Sequence, residues 1–66
     1  MLIKQKRKDQ NLTQQNLAEL LNVKQPTIAL WECGATVPTA KNLIKLAAAL
    51  HCTVDELLQE ETEVKG

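Results

Sequence analysis

The sequence predicts an all-α domain of five short helices, and three observations predict it. Ala, Leu, Gln, Lys and Glu dominate the 66 residues, glycine occurs only twice, and β-branched residues form no runs; the dominant types are strong helix formers. Apolar residues recur three and four positions apart in short windows, which is the spacing of one helix face. Between the windows stand Asn, Thr, Gly and Pro, the residues that stop and start helices.

The elements follow in order. The first helix is predicted over 2–9 and ends at Gln10-Asn11, because Asn tolerates the left-handed backbone that closes a helix. Thr13 is an N-cap, its hydroxyl accepting an orphan N–H. It opens a second helix over 14–21 with Leu17, Ala18 and Leu21 on one face. Asn22 sits where a left-handed residue is again needed. Pro26 fits only the first turn of a helix, where its missing N–H is no loss. That places a third helix over 25–33, with Ile28 and Trp31 as its inner stripe and Gly34 as its stop. Residues 35–38 form a loop. Thr39 caps a fourth helix over 40–50, with Leu43, Leu46, Ala47 and Leu50 inside. His51 follows at a position suited to positive φ. Thr53 and Glu56, three apart, form a capping box that opens a fifth helix carrying Leu57 and Leu58.

Length and composition bound the function. A chain of 66 residues makes one small domain. A domain near this size buries only about 60% of its unfolded surface, so dimerisation would add useful stability. Two cysteines and one histidine are too few for a Cys/His zinc site or a disulfide framework. Catalysis finds no support: there is no nucleophile–base pair, no paired carboxylates in a pocket-forming context and no glycine-rich phosphate loop. No metal, cofactor or small-molecule ligand is expected. No signal-like segment opens the chain and no apolar run approaches a membrane span, which predicts a soluble, intracellular protein with reduced thiols.

The net charge is zero, but it is unevenly spread. Residues 1–31 carry Lys4, Lys6, Arg7, Lys8 and Lys24 against Asp9 and Glu19, a surplus of three positive charges. Residues 32–66 carry Lys41, Lys45 and Lys65 against Glu32, Asp55, Glu56, Glu60, Glu61 and Glu63, a surplus of three negative charges. A basic first half favours an anionic partner there. Ordinary solvated charge is the bland alternative, and Lys4, Lys6 and Lys8 either solubilise the first helix or touch phosphate.

Helices two and three, joined by a three- or four-residue turn with a polar opening to the second, have the layout of a helix-turn-helix. Ala18 supplies the small residue where two helices nearly touch, and Asn22 the turn residue. Val23, Ile28 and Trp31 anchor helix three from below. Lys24, Gln25, Thr27 and Leu30 then face outward, beside Pro26 and Ala29. In a major groove such a helix offers Lys to guanine, Gln to adenine N6/N7, and Leu or a Thr methyl to the thymine methyl.

These residues are specific enough in combination to name a resemblance. Leu-Thr-Gln-Gln-x-Leu-Ala at 12–18, Leu-Asn-Val at 21–23, Gln-Pro-Thr-Ile at 25–28, Trp-Glu-x-Gly at 31–34, Pro38 and the run from Leu50 to Leu58 together resemble the phage repressor/Cro-type (lambda-repressor-like) helix-turn-helix family. The resemblance implies a compact five-helix domain whose third helix reads bases. It gives Lys24, Gln25, Pro26 and Leu30 as base-reading positions, to which the outward face of the helix adds Thr27. It gives Gln14 as a phosphate contact that also braces the third helix; Thr13 at the same helix start, Lys6 by its charge and the backbone near Thr36 are the further phosphate candidates. Arg7 and Glu32 match a structural ion pair, and Val54 lies in the region where family members dimerise. Three departures stand out: Lys24 replaces a Ser or Thr cap, Ala35-Thr36-Val37 replaces a basic loop, and Leu30 replaces a polar residue.

The expectation is therefore a transcriptional regulator, repressor- or Cro-like, that binds a pseudo-palindromic operator in double-stranded DNA as a homodimer. Its domain covers 1–59, with the helix-turn-helix at about 14–33, and an acidic, frayed tail covers 60–66. Its place would be the cytoplasm of a prokaryote, on the nucleoid when bound. The alternative is a protein-interaction module or antitoxin-type partner that keeps the scaffold but binds DNA weakly. Leu30, the bare loop and the zero net charge motivate it.

Overall fold

The computed structural model describes residues 1–60, and those residues contain five helices and no strand. Helix α1 is Ile3–Asp9, α2 Gln14–Leu21, α3 Gln25–Cys33, α4 Ala40–Ala49 and α5 Val54–Leu58. The acidic tail expected over 60–66 lies outside the described residues apart from Glu60, which is exposed.

Local chemistry sets most helix ends. Thr13 Oγ1 accepts from the Asn16 N–H at 3.0 Å, and Asn16 Oδ1 accepts from the Thr13 N–H at 3.1 Å. This is a capping box closed by Asn rather than by the usual Glu or Gln, which is why the sequence reading found the cap and missed its partner. Thr39 Oγ1 accepts from the Asn42 N–H. Thr53 and Glu56 exchange bonds of 3.0 and 2.9 Å in the fifth helix's box. Asn11, Asn22 and His51 all adopt positive φ, at 58°, 59° and 55°. Gly34 closes α3 at φ 83°. A Cβ there would meet nothing within 4 Å, so glycine is needed for its backbone angle and not for space.

Two ends differ from the sequence reading. Leu2 precedes α1 as an uncapped N-cap, and its N–H instead donates to the Leu57 carbonyl at 2.9 Å, joining the chain start to α5. Leu50 is the C-cap of α4 rather than its last residue, yet it stays buried.

The core is one cluster: Ile3, Leu17, Ala18, Leu21, Ile28, Trp31, Leu46, Ala47, Leu50 and Leu57. Helix α2 packs on both α3 and α4, α4 packs on α5, and α1 packs on α3. Each fully buried Leu or Ile contributes roughly 1.5–3 kcal/mol by transfer from water. Leu57 is in the core, but the next residue, Leu58, is 45% exposed; adjacent side chains on a helix point about 100° apart, and the orientation that buries Leu57 turns Leu58 to the edge of the core. Leu43 and Cys52 are half-buried and pack at the core's edge, and Leu20 is exposed.

Candidate nucleic-acid interface

Helix α3 begins without a side-chain cap, since Lys24 supplies none, and Pro26 sits in its first turn. Lys24 and Pro26 are exposed, whereas Gln25 and Thr27 are half-buried. Leu30, one turn further on, is 43% exposed. Ile28 and Trp31 are buried on the opposite side, so the outward stripe is the one the spacing predicts.

The opening residue of α2 meets the opening residue of α3. Gln25 Nε2 donates to Gln14 Oε1 at 2.6 Å. Gln14 Nε2 in turn donates to Glu32 Oε1 at 2.9 Å. Glu32 also accepts from Arg7, at Oε2 from Nε (2.6 Å) and at Oε1 from Nη2 (3.3 Å). The third nitrogen, Arg7 Nη1, donates to the Leu12 carbonyl at 2.7 Å. The side chains of Arg7 and Glu32 are only 10% and 4% exposed. This is the forked, charge-assisted geometry that Arg makes and Lys cannot. No buried side-chain nitrogen or oxygen lacks a partner among the described residues. The structure thus brings Arg7, Glu32, Gln14 and Gln25 into one chain of hydrogen bonds. The role of the Leu12 carbonyl in it carries no sequence signal.

The other candidate positions are scattered differently. Thr13 is exposed at the start of α2, its hydroxyl occupied by the Asn16 N–H. The Thr36 N–H donates to the Leu30 carbonyl at 3.4 Å, so its backbone helps close α3, and its exposed side chain is what faces solvent. Lys6 is half-buried near α5. The Thr53 backbone hydrogen bond, followed by the Lys6 charge, holds the Glu56 carboxyl below its usual range. Burial raises the Cys52 thiol, and Lys6 pulls against that rise. The Lys6 charge is therefore felt by Glu56 and Cys52, with no ion pair formed to either among the described residues. Val54 is half-buried against the core at the start of α5. Cys33 is exposed, with Sγ donating to the Leu30 carbonyl at 3.5 Å.

Among the described residues, no group of three or more His, Cys, Asp or Glu side chains is placed to hold a metal. No helix there is long and apolar enough to cross a membrane.

Comparison with known proteins agrees with this geometry. The helix-turn-helix family model matches residues 3–57. The chain is 36% identical over 63 residues to the uncharacterised HTH-type transcriptional regulator YqaE of Bacillus subtilis, covering 96% of this chain and 54% of that protein. It is 39% identical over 59 residues to the HTH-type transcriptional activator BcrR of Enterococcus faecalis, covering 89% of this chain and 29% of that one. It is 35% identical over 57 residues to Repressor protein C2 of Salmonella phage P22, covering 86% and 26%. The chain thus spans about half the length of the first of these and under a third of the other two. No solved structure gives a significant match. With the matched span running from the start of α1 into α5, the chain belongs to the helix-turn-helix family.

Proposed function

We propose that this protein is a transcriptional regulator that binds double-stranded DNA by laying α3 in the major groove. The observation that carries the proposal is the Gln14–Gln25 hydrogen bond of 2.6 Å. It holds a long, flexible amide in one place at the groove-facing end of α3, where base reading needs a fixed donor and acceptor. Lys24, Pro26, Thr27 and Leu30 complete the reading surface. The uncapped start of α3 adds the positive end of a helix dipole beside Lys24. Phosphate contacts fall to Gln14, Thr13 and the Thr36 side chain, with Lys6 a weaker candidate because it is half-buried. The relatives' names, which include a transcriptional regulator, an activator and a repressor protein, support regulation as the outcome.

The regulator acts as a homodimer on a pseudo-palindromic operator, in the cytoplasm, and blocks or aids polymerase by occupying the site. Two recognition helices about 34 Å apart would match one turn of DNA. Val54, with the exposed Leu58 beside it in α5, is the proposed contact between copies.

Selection of bound sequences from a random duplex library, followed by a salt titration of the winner, tests this reading. A two-fold symmetric motif with half-sites about 10 bp apart supports it, as does an affinity that falls steeply with salt. The second reading, a protein-interaction module, draws on the exposure of Leu30 and Leu20. It gains if no motif emerges and weak binding vanishes by physiological salt.

A further inference from the structure

We propose that the buried Arg7–Glu32 pair is a positioning element that makes Gln25 read adenine rather than guanine, although both residues lie behind Gln14. The inference rests on the reading that Gln25 faces a base.

The argument runs along the hydrogen bonds. A carboxylate accepts and cannot donate. Glu32 Oε1 faces Gln14 at 2.9 Å, so Gln14 must turn its NH2 toward Glu32. Its carbonyl oxygen then faces Gln25 and must be met by a donor, which is Gln25 Nε2 at 2.6 Å. Gln25 is left with one N–H and its own carbonyl oxygen. Adenine presents the complement of that pair in the major groove, an N7 acceptor and an N6 donor.

The opposite polarity has a different consequence. With no carboxylate behind it, Gln14 can turn over and offer its NH2 to the Gln25 oxygen. Gln25 then faces the groove with N–H donors alone, the match for guanine N7 and O6. An amide has two such orientations of nearly equal shape, and the charge at Glu32 selects one. Arg7 keeps that charge in place through Nε and Nη2 while its Nη1 is tied to the Leu12 carbonyl.

The test compares binding to two duplexes that differ only by A·T or G·C at the pair read by Gln25, the position being identified with Gln25→Ala. Wild type should favour adenine by about 5- to 150-fold, the range of a good bidentate contact. In Arg7→Met/Glu32→Met the ratio should fall to within about threefold of one, with the salt dependence of binding unchanged, because no DNA-facing side chain is altered. Arg7→Lys keeps the carboxylate, so it should melt earlier yet keep the adenine preference. A merely structural pair would give the reverse, with the ratio following stability. Retention of the preference by the double Met variant overturns the proposal, and so does its loss in folded Arg7→Lys. If the double variant does not fold, Gln14→Met carries the same test: it removes the relay and leaves the ion pair, any phosphate loss cancels in the ratio, and a preference kept there overturns the proposal. A wild-type chain that distinguishes no base at any position would instead sink the DNA-reading proposal itself.

Discussion

Arg7 and Glu32 are 25 residues apart in sequence and bonded at 2.6 Å, with both side chains almost wholly removed from water. The pair fastens α1 to the last turn of α3, and through Gln14 it also reaches the start of α2. Removing one partner strands the other charge in a poorly solvated place. Arg7→Ala or Glu32→Ala should therefore lower stability by about 3–5 kcal/mol, whereas Arg7→Met/Glu32→Met should cost much less than either. Urea unfolding followed by circular dichroism measures all three. A double variant as unstable as the single ones would show that the fork holds the helices in a way apolar packing cannot replace.

Gln25 should separate base reading from general attraction. Gln25→Ala is expected to lose about 1–3 kcal/mol on the selected operator and to relax preference at one or two base pairs. The salt slope should stay as in wild type, because no phosphate contact is removed. Competition binding across operator variants checks this. Unaltered discrimination at every position would remove Gln25 from the reading surface.

Gly34 is a backbone requirement without a steric one. At φ 83° with open space around it, Gly34→Ala should destabilise by about 1 kcal/mol through the left-handed penalty alone. Gly34→Asn should lose less, since Asn visits that region readily. Thermal melts of the two variants rank them, and equal melting temperatures would refute the strain argument.

Glu56 links stability to pH. Its carboxyl is held below the usual range chiefly by the Thr53 N–H and next by Lys6. A depressed acid favours the folded state while ionised. The contribution is full above the unfolded carboxylate value of about 4.3, and it fades as pH falls through the lower folded value. Glu56→Gln, which retains a capping oxygen but no charge, should flatten the stability profile across that acidic window by lowering stability at neutral pH and leaving the acid end little changed. A carbon-detected NMR titration of Glu56 gives the direction independently; an inflection above the ordinary carboxylate value would contradict it.

Leu58 tests the dimer. It is exposed in the single chain while its neighbour Leu57 is fully buried. Leu58→Glu should therefore leave the monomer folded and shift sedimentation toward the monomer, with cooperative binding to a two-half-site operator lost. Unchanged sedimentation would move the contact between copies away from α5.

The features legible in the sequence act over a few residues. Thr13, Thr39 and Thr53 cap because each hydroxyl reaches an N–H three positions on. Asn22 and Gly34 stop helices because few other residues turn left-handed without strain. Ile28 and Trp31 face inward because their spacing is that of one helix face. Those local rules determined five helices, the turn between α2 and α3, and the outward stripe from Lys24 to Leu30. The pairing of Arg7 with Glu32 was available only through family resemblance, since no local rule spans 25 positions. Tertiary structure alone decided that Gln14 bonds Glu32 and Gln25 together, across 18 and 11 residues. Those relations exist because α1 and α2 dock on α3 at one particular angle, and a hydrogen bond exists only when that docking brings donor and acceptor within about 3 Å.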